Sequence, residues 1–219
     1  MIQHVWERAQ QSRYLTELVI ATDDERIASI ARRFGAQVRL TRADHPSGTD
    51  RVAEVAAGGN AHAVVNIQGD EPLIDPAAID TAILTLLDDP HVEMATLKKR
   101  IASPADIANP NVVKVVTNHD GYALYFSRHP IPFDRGADAV YWKHIGLYVY
   151  KTSFLLAYSS LPVGPLEQAE KLEQLRALEN GIPIRVAETE YETVGVDTPE
   201  DLSQVERLFH LATANRNDG

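Results

Sequence analysis

Strand-like and helix-like segments alternate through the first ninety residues, which predicts an α/β fold with a mostly parallel central sheet flanked by helices. From about residue 92 strand follows strand, so the second half is expected to be mixed or antiparallel. The chain also opens on a helix, where folds of this class ordinarily begin with a strand, and the sheet is expected to lack its first strand. The 219 residues are 44% hydrophobic and 24% charged, which suits one domain over residues 1–214 followed by a disordered tail over 215–219.

Each element has its own signal. Ile2, Val5, Trp6 and Ala9 are spaced as one face of a helix, and Leu18 to Ala21 is a short buried strand. Asp23 or Asp24 caps a helix ending near Phe34-Gly35, and Val38 to Leu40 is the next strand. A helix capped by Thr49 runs to about Ala57, and the strand VVNIQ follows. Asp75 at a cap and Pro76 in the first turn start a helix that buries Ile79, Ile83, Leu86 and Leu87. Met94 to Leu97, Val112 to Thr117 and Tyr122 to Ser127 are strands, the last two joined by a turn at Asn118 to Gly121. His144 to Tyr150 alternates, with Ile145, Leu147 and Val149 on a core face and His144, Gly146, Tyr148 and Tyr150 on a site face. Leu166 to Leu178 forms a single helix stopped by Asn180-Gly181, with Glu167, Glu170, Lys171, Glu173 and Gln174 off its apolar stripe. Thr193 to Val196 is a last strand feeding a last helix.

Composition excludes several classes of function. Formal net charge is −10, from 31 acidic against 21 basic residues, so there is no diffuse positive field to hold nucleic acid or an acidic membrane. Without cysteine there are neither disulfides nor thiolate metal sites. The apolar runs are far short of a membrane span and residues 1–15 carry charges, which points to a cytoplasmic protein.

Two carboxylates are left over once helix capping is accounted for. Thr198, Pro199 and Asp201 explain the last helix without Asp197, and Asp75-Pro76 explains the earlier one without Asp70. Both follow short apolar strands, at the edge where open α/β folds bind ligands. Two such carboxylates in one cleft repel unless a cation lies between them, and Mg²⁺ takes one or two protein carboxylates with phosphate oxygens completing its shell. The segment TRADHPSGTDR is either a capped turn or a donor-rich loop able to read the edge of a base. Arg128 is either a solvated strand end or, beside a metal, a partner for a substrate carboxylate.

In order along nearly the whole chain, TRADHPSGTDR, VNIQGDEP, VKVV, GYALYFSR, PIP, HIGLYVY, PLEQAEKLEQLR and GVDTPEDL resemble the 3-deoxy-manno-octulosonate cytidylyltransferases, or CMP-Kdo synthetases. The resemblance implies a nucleotide-diphospho-sugar transferase-like fold and a homodimer. It implies transfer of CMP from CTP to 3-deoxy-D-manno-octulosonate (Kdo), with release of pyrophosphate, for lipopolysaccharide synthesis. It also implies that Asp70 and Asp197 hold Mg²⁺ and carry the catalysis, and that Ser47, Gly48, Arg51 and Gln68 surround the cytidine. Arg128, His144, Tyr148, Glu173 and Gln174 would contact the sugar acid. Family members open with a strand and an Arg/Lys loop that grips the triphosphate, whereas this sequence starts at the position of an internal Met-Ile. A start upstream of Met1 and weak turnover by the chain as written are the corresponding expectations. The alternatives are a catalytically silent sugar-acid-binding dimer, or a cytidylyltransferase for another acid such as 8-amino-Kdo.

Overall fold

The computed structural model describes residues 1–136, 138–196 and 198–217. Helix α1 (Ile2–Ala9) buries Val5, Trp6 and Ala9, the face that its spacing predicts. Strand β1 (Val19–Thr22) leads to α2 (Glu25–Arg33), where the Asp24 carboxylate accepts from the Arg26 amide at 2.7 Å. The turn at Gly35 (φ 84°) returns the chain to β2 (Gln37–Leu40). Next come α3 (Gly48–Ala56), β3 (Ala63–Asn66) and α4 (Pro76–Leu87). Asp75 caps α4 as expected, its side chain accepting from the Ala77 amide at 2.9 Å. Leu87, expected inside, is 58% exposed, because the helix ends there and its face has rotated past the sheet.

The second half consists of β4 (Met94–Arg100), α5 (Pro104–Ala108), β5 (Lys114–Thr117), β6 (Ala123–Ser127), β7 (Trp142–Lys151), α6 (Thr152–Tyr158), α7 (Pro165–Glu170), α8 (Gln174–Glu179), β8 (Ile184–Glu188) and α9 (Pro199–Asn217). Three expectations change here. The single helix over Leu166 to Leu178 is two, because Lys171 adopts a left-handed conformation (φ 53°) between α7 and α8. That break turns Glu167 and Gln174 inward, and both are buried. Thr193 to Val196 is not a strand: the Val196 amide donates to the Asp70 carbonyl at 3.0 Å and joins no ladder. Helix α9 begins with the predicted reciprocal cap, Thr198 and Asp201 bonding each other's amides, and runs into the segment read as a tail.

β1 and β2 form a parallel pair. The larger sheet has the order β6-β5-β7-β4-β8, with β3 also on β7. β7 runs antiparallel to β3, β4 and β5, while β8 is parallel to β4. Consequently β3, β4, β5 and β8 share one direction, but their hydrogen bonds pass largely through the reversed strand β7. Helix α4 packs Ile79, Ile83 and Leu86 against Ile145, Leu147 and Val149 on one face. On the other, Phe154, Leu155 and Leu175 of α6 and α8 pack with Met94, Val115, Phe126 and Tyr150. A smaller core joins Trp6, Ile20 and Ala31.

Candidate active site

The long strand β7 is covered unequally along its two edges. β4 lies along one edge, pairing from Trp142 to Tyr150. On the other edge β3 pairs with residues 148–151 and β5 reaches only Lys143, with the His144 amide donating to Val113 O at 2.8 Å. Among the described residues no strand pairs with Ile145, Gly146 or Leu147 on that side. A side chain built on Gly146 would meet nothing within 4 Å, so the site-side face of β7 is open at that residue. Asn66 ends β3 opposite Tyr148, and Gln68-Gly69-Asp70 therefore leaves the sheet beside this gap. Gln68 is exposed and Asp70 half-buried.

Asp70 and Glu71 are both half-buried. Glu71 accepts from the Tyr191 hydroxyl at 3.1 Å. Burial pushes its carboxyl up from the usual range and the neighbouring Asp70 charge adds to the shift, while the Tyr191 bond and Lys143 oppose it. Glu71 is thus engaged within the protein by Tyr191. The other member of the expected pair, Asp197, lies outside the described residues; Val196, just before it, is bonded to the backbone of Asp70. No group of three or more His, Cys, Asp or Glu able to hold a metal occurs among the described residues. A hard cation that keeps water and phosphate oxygens in its shell needs fewer, and one half-buried carboxylate oxygen donor at an open strand edge fits it.

The loop between β2 and α3 is fixed at both ends. Ser47, not Thr49, is the cap of α3: its hydroxyl accepts from the Asp50 amide at 3.2 Å and donates to Asp50 Oδ2 at 2.7 Å. Asp50 also accepts from the Ser159 hydroxyl at the end of α6. Arg51 reaches back to Thr41 Oγ1 (2.5 Å) and Asp23 Oδ1 (3.1 Å), which anchors the loop to the β1–α2 junction. His45 Nε2 and the Glu54 carboxylate are hydrogen-bonded across the loop, and that bond holds the Glu54 carboxyl below its usual range. A side chain at Gly48 would meet nothing within 4 Å, so the glycine leaves the helix N-terminus open. Thr49, released from capping, is buried and donates to Glu173 Oε2 at 2.9 Å.

The site face of β7 continues from this contact as an aromatic row. Tyr148 stacks on Tyr150 (5.9 Å between ring centres) and lies 5.3 Å from His144, whose edge meets Phe126 at 5.0 Å. Burial drives the His144 pKa down to about 3, so the ring is neutral at neutral pH. Its tautomer follows from its partner. Thr96 Oγ1 lies 2.9 Å from the carbonyls of Ile145 and Leu147 and 3.0 Å from His144 Nε2. Carbonyls only accept, so the hydroxyl proton goes to one of them, and the Nε2 hydrogen must point at Thr96. His144 Nδ1 is left as an acceptor.

Arg128 is not a solvated strand end. Its guanidinium donates to the carbonyls of Glu170 (2.7 Å), Pro110 (3.1 Å) and Lys171 (3.4 Å). Each terminal nitrogen carries a second hydrogen beyond these bonds, available in kind to a carboxylate. Beneath it Lys114 is completely buried, donating to the carbonyls of Asn109 (2.9 Å), Val112 (2.6 Å) and Arg128 (2.7 Å). Desolvation lowers the Lys114 pKa, with the Glu170 charge opposing. Lys114 and Thr96 have no role in the sequence reading, and Thr49 enters it only as the expected cap and a donor of the TRADHPSGTDR loop. A lysine inside the apolar run VKVV was the available signal for the first.

Comparison with known proteins agrees with this geometry. A family model described as cytidylyltransferase matches residues 1–190. A 3-deoxy-manno-octulosonate cytidylyltransferase of Solibacter usitatus (strain Ellin6076) is 68% identical, over 95% of this chain and 84% of its own. The solved structure of CMP:2-keto-3-deoxy-manno-octonic acid synthetase complexed with CTP superposes with a TM-score of 0.93 at 46% identity, covering 96% of this chain and 88% of that one. A cytidylyltransferase from Leptospira borgpetersenii serovar Hardjo-bovis (strain JB197) shares the fold at 18% identity, with a TM-score of 0.55 over 92% and 71% of the two chains.

Proposed function

Because this chain belongs to the cytidylyltransferase family, we propose that it transfers CMP from CTP to Kdo, giving CMP-Kdo and pyrophosphate for lipopolysaccharide synthesis. The observation that carries the reading is the near-complete superposition on a CTP-bound synthetase of that name. In the reaction the anomeric oxygen of the sugar acid bonds to the α-phosphorus, the bond from that phosphorus to the bridging oxygen breaks, and pyrophosphate departs as the hydroxyl proton is lost. Mg²⁺ held by Asp70 and Asp197 would polarise the α-phosphate and favour the deprotonated hydroxyl.

The chain's own groups bind and orient. Ser47 and Gly48 present the N-terminus of α3, with Arg51 and Gln68 flanking it, to the cytidine. Tyr148 offers an aromatic face to the sugar acid, neutral His144 accepts a sugar hydroxyl at Nδ1, and the second hydrogens of the Arg128 guanidinium meet the carboxylate. Glu173 and Gln174 close that side from the α7–α8 junction. We place the enzyme in the cytoplasm as a homodimer; among the described residues no helix is long and apolar enough to cross a membrane.

Pyrophosphate release with CTP, Kdo and Mg²⁺ tests the proposal, with 8-amino-Kdo as a competing acceptor. Asp70→Ala is expected to reduce release at least about 10²-fold while leaving the circular dichroism spectrum unchanged. Full turnover by that variant would refute the role of Asp70. Kdo binding without pyrophosphate release would favour a silent binding protein.

A further inference from the structure

Thr49 takes no part in the roles assigned above, yet it joins the two elements that carry different substrates. It is the second residue of α3, directly after Ser47-Gly48, and its side chain is buried. Its hydroxyl donates to Glu173 Oε2 at 2.9 Å, across 124 residues of sequence. The Glu173 carbonyl in turn accepts from the Tyr158 hydroxyl at 2.6 Å, which fixes the backbone at the start of α8. A parallel tie runs from Asp50 to Ser159, so the first turn of α3 is attached to α6 as well.

We propose that Thr49 is a positioning residue that couples the nucleotide loop to the sugar-acid side of the site, so that each substrate strengthens the binding of the other. This rests on the functional reading above. One oxygen of the Glu173 carboxylate is held by Thr49, and that bond restricts how the carboxylate can turn. A nucleotide seated on Ser47-Gly48 orders the first turn of α3, and with it Thr49 and Glu173. The sugar acid then binds a group whose ordering has already been met, which is positive coupling without a large movement. Linkage makes the effect equal in both directions.

The test is calorimetric titration of CTP and of Kdo in magnesium-free buffer, where nothing turns over, each ligand alone and each with the other saturating. Wild-type protein should bind CTP roughly tenfold more tightly in the presence of Kdo, and the reverse by the same factor. In Thr49→Val, nearly isosteric but without the hydroxyl, each ligand should still bind alone while the ratio falls towards one. Thr49→Ser, which restores the donor, should recover it, and Thr49→Ala gives a second hydroxyl-free measurement. A wild-type ratio of one, or undiminished coupling in the hydroxyl-free variants, overturns the proposal. Failure of wild-type protein to bind either ligand, both in this buffer and with magnesium and that single ligand present, overturns the functional reading itself, and the coupling with it.

Discussion

His144 shows how one side chain registers its surroundings. Its pKa is held at about 3 in the folded protein, against about 6.5 for a free imidazole. Between those values the unfolded chain binds the proton and the folded chain does not, so stability is complete above pH 6.5 and falls as the pH drops. At pH 5 the loss from this group is about 2 kcal/mol. Urea unfolding at pH 7.5 and pH 5 should show it, and His144→Asn, which can still donate to Thr96 but cannot titrate, should lose about that much less between the two. Glu71 has the opposite sign: its carboxyl is raised, so its contribution worsens as the pH rises through the folded pKa. The two faces of β7 were legible because strand alternation separates His144 and Tyr148 from Ile145 and Leu147. The Thr49–Glu173 contact was not, since nothing local to either residue points to a partner so distant in sequence.

Among the elements, those with strong local punctuation were read closely. Asp24, Asp75 and the Thr198–Asp201 pair each bond the amides that their positions require. The break between α7 and α8 had no such signal, because apolar spacing continues across Lys171 while its backbone turns left-handed. A side chain in that region costs about 1–2 kcal/mol, and glycine loses about 0.5–1 kcal/mol more entropy than alanine on folding. Lys171→Gly should therefore stabilise the protein by about 0.5 kcal/mol, measurable as a higher urea midpoint at unchanged slope. A lower midpoint would mean that the lysine side chain contributes more than its backbone conformation costs. The segment Thr193 to Val196 misled for a different reason: its β-branched residues read as a strand, but Val196 bonds the loop at Asp70. The same bond ties Val196 to the backbone of Asp70.

At the level of the whole molecule, the predicted class is correct: this is a nucleotide-diphospho-sugar transferase-like α/β fold with helices on both faces of its sheet. What the alternation of the first half could not reveal is that β3 pairs with a strand from the second half, since the apolar run VVNIQ is equally compatible with either neighbour. The result is an uneven distribution of protection. β7 is bonded by β4 along one edge and by β3 and β5 at the two ends of the other, and it buries Ile145, Leu147, Val149 and Tyr150, whereas β2 has one partner among the described residues and is largely exposed. Native-state hydrogen exchange should be slowest for the Tyr148 to Tyr150 amides, where β7 is paired on both sides, and orders of magnitude faster in β2. Equal rates would mean that the small sheet opens only with global unfolding. The same arrangement governs how the chain is made. Until synthesis has passed Lys151, β3, β4 and β5 have no common partner, and their apolar edges emerge before the strand that unites them. Pairings this distant in sequence form slowly and leave a collapsed, sticky intermediate, so a ribosome stalled before Trp142 would present the first half as a client for chaperones rather than as a folded unit.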